Sequence, residues 1–451
     1  MTPNTHPVPG RRAHGGAAPR LDAAGAALRR RRPARAHRAL ALGLAVLATA
    51  GCDQVDRLLS IETPSRLPES SLLVPTNAAL LVASAAGDFQ CAYGAYTVAS
   101  GLAGGELTDA TETAARWSYD RRAVLPVEAF YASGSCEGIG VYTPINTARY
   151  TNDQILQKLQ EWTDEEVPDR QRLIAQAAAF SGYSLLLLGE GFCSGAIAGG
   201  PEITSAQILD SAEVRFTQAI ETAQAIGATD LLNLARVGRA RARLDNGDLA
   251  GAASDAEAVP VDFVYDLEST DVASRYYNRV AAQNITGNAV TVAAAYRNLT
   301  VQGEPDPRVP VVDADQTAGD DVTPLWRQQK YPELTSPMRL ASGVEAQLIL
   351  AEARGGAEGV AILNALRARA GVELPPLTPA EEADFTGTLF RERARELFLQ
   401  GTRWYDLRRG DLPLVPAPGT PYPKGGNYGE QRCWPLPDVE RLSNPNIPDQ
   451  G

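Results

Sequence analysis

The segment 231–260, LLNLARVGRARARLDNGDLAGAASDAEAVP, constrains the fold more than any other stretch of the chain. Leu234, Val237, Gly238 and Ala242 recur at three- and four-residue spacing and fall on one face of a helix. Asn246, Gly247 and Asp248 break that helix with turn chemistry. Ala250, Ala253 and Ala256 then mark a second, shorter helix, and Pro260 ends it. Small residues on the facing sides let two antiparallel helices approach closely. Such a hairpin cannot bury its apolar face alone, so it predicts neighbours of its own kind.

The hairpin resembles a tetratricopeptide repeat, with Pro260 about two residues early for the consensus. Its neighbours are legible. Residues 170–189 place Leu173, Ala177, Phe180 and Ser184 on one side, and 205–226 carry Ile208, Ala212, Phe216, Ala219 and Ala223. Together they read as a first repeat with a loop inserted. Residues 338–354 and 356–369 read as a third, and a fourth pair begins at 380–399. Helices are also expected at 78–101 and 147–162. Between them lie long irregular stretches rich in Gly, Pro, Thr, Asp and aromatics, with short strands such as 290–293. Loops of this length are functional or disordered. The expected fold class is mainly α: a tetratricopeptide-like right-handed helical superhelix with a loop-rich subdomain. The helices occupy about 147–260 and 338–410, the subdomain about 102–146 and 260–337, and a tail 411–451, within one domain starting at 76.

The first 51 residues are of a different character. They hold the only histidines, His6, His14 and His37, with nine of the 42 basic residues and one of the 54 acids. Four arginines at 29–32 precede Leu40, Leu42, Leu44, Val46 and Leu47, a run of about ten apolar or small residues where a bilayer span needs about 20. Ala50 and Gly51 then lead to Cys52. This order reads as a signal peptide over 1–51, preceded by extra N-terminal sequence. Its end, TAGC, looks like a bacterial lipobox, with Thr49 where Leu is usual. The likeness implies lipidation of Cys52, attachment to the membrane by acyl chains, and a Pro-containing tether over 52–75. A chain cut there keeps 33 basic and 53 acidic residues, a net charge of −20, and no histidine. That excludes a Ser-His-Asp triad, a Cys-His pair and His-ligated metal. It also opposes nucleic acid as a partner, because nothing would neutralise the phosphates.

Four cysteines remain: Cys91, Cys136, Cys193 and Cys433. An even count in an exported chain points to two disulfides, and three pairings are open. The favoured one joins Cys91 to Cys136, linking neighbouring N-terminal elements, and Cys193 to Cys433, pinning the tail to the first repeat. With no CxxC spacing and no histidine, neither a metal nor a cofactor is expected.

Residues 338–451 carry a more specific signal. The runs MRLASGVEAQLILAEA, LNALRARAGV, RERARELFLQGTRWYDLRRG and CWPLPDVERLSNPNI follow one another in an order that resembles the SusD/RagB family. Glu392, Arg393, Glu396, Leu397, Gly401, Arg403, Trp404, Asp406, Leu407 and Arg408 match its C-terminal signature. Trp434, Pro435, Pro437, Glu440, Asn444, Pro445 and Asn446 match its tail. Gln400 and Thr402 depart from it, standing where Glu and His are usual. The resemblance implies a SusD-like fold. It also implies an outer-membrane lipoprotein that captures a glycan or peptide for a TonB-dependent, SusC-like transporter. By spacing alone, Glu392, Glu396 and Gln400 form one helical stripe, and Arg393, Leu397 and Gly401 the next. Trp404 and Leu407 are expected to pack inward, and the arginines to pair with carboxylates and hold the helix against the tail. The signature then reads as structural, with Arg403 and Asp406 away from ligand.

A neutral sugar is held by aromatic faces and side-chain hydrogen bonds. In the family the site lies in loops outside the repeats. The candidates there are Trp117 and Tyr119 in RWSYD, Tyr276, Tyr277 and Arg279 in RYYNR, and Trp326 beside Arg327. Tyr331, Tyr422 and Tyr428 are fainter ones. Two other readings stand beside capture: a glycosidase built on two of Glu106, Asp109, Glu112 and Asp120, and a repeat scaffold for envelope assembly. A charge near −20 favours a neutral or cationic nutrient unless the arginines at 116, 121, 122, 275 and 279 gather into one patch.

Overall fold

The computed structural model describes residues 69–448. The signal segment, Cys52 and the tether up to residue 68 lie outside the described residues; the end of the tether holds a short helix, Glu69–Leu72.

Ten helices carry the argument: α1 Ala78–Ala103, α2 Tyr142–Glu161, α3 Arg170–Gly191, α4 Ser205–Ile226, α5 Thr229–Asp245, α6 Leu249–Glu257, α7 Gly343–Arg354, α8 Gly356–Ala368, α9 Phe385–Glu396 and α10 Arg403–Arg409. The fold is mainly α, with α2 to α7 packed in sequence order. Local chemistry fixes the ends. The side chain of Thr204 and that of Gln207 cap α4 reciprocally, and Gly227 closes it at φ 68°. Asp248 accepts from Gly251 N at 2.9 Å and opens α6 after the turn at Gly247.

Close approach explains the small residues. The Phe216 ring of α4 wedges between α3 and α5. A Cβ on Gly238 would lie 2.4 Å from that ring, and one on Gly182 2.8 Å from it. Tyr183 meets the same ring edge-on at 4.9 Å. α3 is apolar all round because neighbours cover it. Among the described residues it alone is long and apolar enough to cross a bilayer, and 89% of that stretch is buried in the protein.

Three helical expectations are corrected. Residues 338–342 form a strand, Met338–Ser342, paired antiparallel with Val264–Leu267, Met338 opposite Leu267 and Ser342 opposite Val264. Met338 and Leu340 turn inward while Arg339 reaches out to Asp266, the period of a strand. The third helical unit therefore starts at Gly343, where a Cβ would meet Pro260 O at 2.2 Å. The expected 380–399 helix is two: a capped turn, Pro379–Ala383, then α9, which ends at Glu396. Leu399 at φ 54° and Gly401 at φ 79° reverse the chain, so Gln400 leaves the carboxylate stripe. Finally, α2 starts at Tyr142, five residues before its expected start at 147.

The signature residues bind the fold together. Glu392 takes Arg308 at 2.5 Å and Arg367 at 2.8 Å, and Glu396 takes Arg369 at 2.5 Å. These arginines come from the 306–308 loop, α8 and Arg369 just past its end, so the pairs hold α9 to those elements and not to the tail as expected. Arg393 pairs with Asp406 at 3.0 Å. Trp404 and Leu407 pack inward, and Trp404 is the residue that reaches the tail, stacking on Trp434. Disulfides join Cys91 to Cys136 and Cys193 to Cys433, with Cα separations of 5.6 and 5.1 Å.

Candidate functional site

The loop-rich layer is built from short strands that follow α1. Leu107–Asp109 runs antiparallel to Val290–Val292, with Asp109 opposite Val290. Thr291 bridges onward, its hydroxyl donating to Pro324 O at 2.9 Å and accepting from Trp326 N at 2.8 Å. Pro324–Gln328 pairs with Val311–Thr317, which sets Trp326 opposite Asp313.

Trp117 stands at the edge of this layer, half-buried. Its Nε1 donates to Thr111 O at 2.9 Å, which fixes the ring plane. Lys424 lies 5.8 Å over the ring and Tyr422 tilts against it at 6.5 Å. Lys424 also donates to Asp109 O at 2.7 Å and Thr111 O at 2.8 Å, and pairs with Asp320 at 3.1 Å. Burial works against the charge of Asp320, yet the Thr323 backbone and hydroxyl and Lys424 hold its carboxyl down to about 2. The side chain of Asp109 accepts from Thr111 N at 2.9 Å and Arg116 Nε at 3.1 Å. The result is a rigid shelf: an oriented indole ringed by fixed charges, able to stack a sugar face and bond its hydroxyls.

The other candidates fall elsewhere. Tyr119 is corrected to a core residue: it is 0% exposed, its hydroxyl donates to Ile139 O at 3.1 Å, and its ring meets Trp434 at 5.5 Å. Arg279 is likewise buried, donating to Ser274 O at 2.6 Å and Glu137 O at 3.3 Å. Trp326 is half-buried on the main core under Arg297, whose guanidinium carbon is 5.2 Å from the ring centre. Tyr276 and Tyr277 are half-buried. Tyr276 packs over Gly87, where a Cβ would meet its ring at 2.9 Å. The stretch of α1 from Gly87 to its C-terminal end rises about 24 Å at 1.5 Å per residue. That separates the Tyr276 cluster from the Trp117 shelf along the helix.

The five arginines do not form one patch. Arg275 pairs with Asp88 and Arg116 with Asp109. Arg122 is buried and donates to Pro416 O and Gly429 O. Three of the four carboxylates weighed for glycosidase chemistry, Glu106, Asp109 and Asp120, are buried and engaged, and Glu112 is exposed. Glu106 is buried with Oε1 accepting from Leu399 N at 2.9 Å, and burial pushes its carboxyl up to about 7. Asp120 is buried against Asp109 N at 2.9 Å and Tyr422 at 3.2 Å, and is also pushed up to about 7 by burial. Lys424 is the site residue that the sequence reading missed. A signal existed: the chain has only three lysines, at 158, 330 and 424, among its 42 basic residues.

The model of the SusD family matches residues 335–431. Sequence comparison with curated proteins finds no match. Solved structures share the fold. A laminarin-binding SusD-like protein superposes with TM-score 0.62 at 15% identity, over 83% of this chain and 98% of that one. A SusD superfamily protein from Bacteroides vulgatus gives 0.60 at 16% identity, over 83% and 98%. A SusD-like protein from Bacteroides fragilis gives 0.64 at 10%, over 85% and 98%.

Proposed function

We propose, for a chain that belongs to the SusD/RagB family by its C-terminal signature and its fold, that it captures an oligosaccharide without turning it over. On this reading Cys52 carries the lipid anchor, the protein sits at the bacterial outer membrane, and the loop-rich layer delivers the ligand to a TonB-dependent, SusC-like transporter. The Trp117 shelf carries the proposal: its indole is locked by Thr111 and flanked by Lys424 and Asp320. Laminarin binding by a protein of the same fold supports a neutral glycan as the ligand class. The buried, engaged state of Glu106, Asp109 and Asp120 supports a binder over a hydrolase.

The test is calorimetric titration of the soluble chain with laminarin oligosaccharides, other neutral glycans and peptides, with reducing-sugar release followed in parallel. Saturable glycan binding without release is the expected outcome, together with a TonB-dependent receptor co-purifying from solubilised outer membrane. Release of reducing sugar, or no binding to any glycan, overturns the reading. Saturable binding of peptides alone would keep capture but change the ligand class.

A further inference from the structure

Arg403 opens α10, and it stands apart from the arginines around it. Arg393 pairs with Asp406 at 3.0 Å, Arg408 donates to Phe192 O at 3.2 Å, and Arg409 pairs with Asp406 at 2.7 Å. Among the described residues the Arg403 side chain has no hydrogen bond and no ion pair, and its Nε is buried without an acceptor. Glu106 attracts it but does not bond to it: Glu106 Oε1 is taken by Leu399 N and Oε2 has no partner. Leaving a buried guanidinium nitrogen unpaired costs about 1–3 kcal/mol, more for a charged group.

Arg403 lines a cavity of 350 Å³. Tyr296, Leu299, Phe390 and Leu412 supply apolar walls, and Arg391 and Arg395 share the lining. No aspartate or glutamate is among the lining residues. Arg391 is already turned to Asp384 at 3.1 Å and Arg395 to Asp306 at 3.3 Å. One guanidinium is therefore left open at an apolar cleft, in a chain whose charge is otherwise strongly negative. Its planar fork matches a carboxylate, which it can bind through two parallel N–H donors. A phosphate would bring two charges and three oxygens to a cleft with one unpaired cation. The volume lies at the small end of the range for ligand sites, about 300–1,000 Å³.

We propose that this cavity is a binding site for a small carboxylate bearing an apolar group, with Arg403 holding the carboxylate and Tyr296, Phe390 and Leu412 enclosing the apolar part. The site is separate from the Trp117 shelf and does not rest on the glycan reading.

The experiment titrates the soluble chain with N-acetyl-leucine and with its neutral amide, by ligand-observed NMR. The carboxylate is expected to bind about tenfold or more tightly than the amide. Arg403→Gln is expected to bring the carboxylate down to the level of the amide. Should that variant fail to fold, Ala394→Glu decides the question. Ala394 is a half-buried wall residue, and a carboxylate there competes for Arg403 while leaving laminarin binding unchanged. Equal binding of acid and amide, no binding of the acid, or indifference to Ala394→Glu overturns the proposal.

Discussion

Trp404 stacks on Trp434 with ring centroids 6.0 Å apart and 25° between their planes, which joins α10 to the C-terminal tail. Trp434 also meets Phe192, Tyr96 and Tyr119 edge-on at 5.4, 5.7 and 5.5 Å. One tail residue therefore touches α1, the end of α3, the loop after α1 and α10. Trp434→Ala is expected to destabilise by about 3–5 kcal/mol, as for other buried large-to-small changes. The denaturant midpoint at unchanged slope measures it.

Gly238 leaves no room for a side chain. A methyl group there would lie 2.4 Å from the Phe216 ring. Gly238→Ala is expected to lower stability by about 1–3 kcal/mol despite the better helix propensity of alanine. Phe216→Leu in the same chain should recover part of that loss. Melting temperatures of the two single variants and the double variant test the contact.

Two buried carboxyls and the half-buried Lys330 predict an unusual pH profile. Folded Glu106 holds its proton up to about 7, against an ordinary value of 4.5, and Asp120 up to about 7 against 3.8. Between those values the unfolded chain binds fewer protons than the folded one. Stability therefore falls as pH rises, by up to about 1.4 kcal/mol per pH unit for each group. Lys330 acts in the opposite sense: burial lowers it from 10.5 to about 7, so stability rises with pH above 7. A minimum near neutrality is expected in urea titrations. Glu106→Gln and Asp120→Asn should each reduce the acid-side slope, and Lys330→Met the alkaline one.

Tryptophan 117 and tyrosine 119 should separate cleanly. Trp117→Ala removes a half-exposed ring and is expected to weaken glycan binding by about tenfold or more while leaving the fold stable. Tyr119→Ala removes a core ring and should cost about 3–5 kcal/mol of stability. Binding lost only in the tyrosine variant would falsify the placement of the site.

Local chemistry explains what the sequence revealed. α4 was readable to the residue because Thr204, Gln207 and Gly227 mark both of its ends. Trp404 and Leu407 faced inward as their spacing required. The strand at Met338–Ser342 was not readable, because its partner, Val264–Leu267, lies more than 70 residues away and a short apolar run fits either period. Of the aromatic candidates, Tyr119 was misplaced for the same kind of reason. Tyr119 is buried by Trp434, more than 300 positions later, and nothing within RWSYD separates it from the half-exposed Trp117. Charge reading was limited too: composition gave the sign of the whole, while the pairing of each arginine depends on loops that meet only in the folded chain.

The Cys193–Cys433 bond spans 240 residues of sequence. Every segment from α4 through α10, with the exposed hairpin turn around Val322, lies inside that covalent ring. A protease that cuts the hairpin opens the ring without releasing a fragment. The nicked protein runs as one species until a reductant separates it into two. A cut at that exposed turn then costs the molecule a peptide bond, but not its integrity.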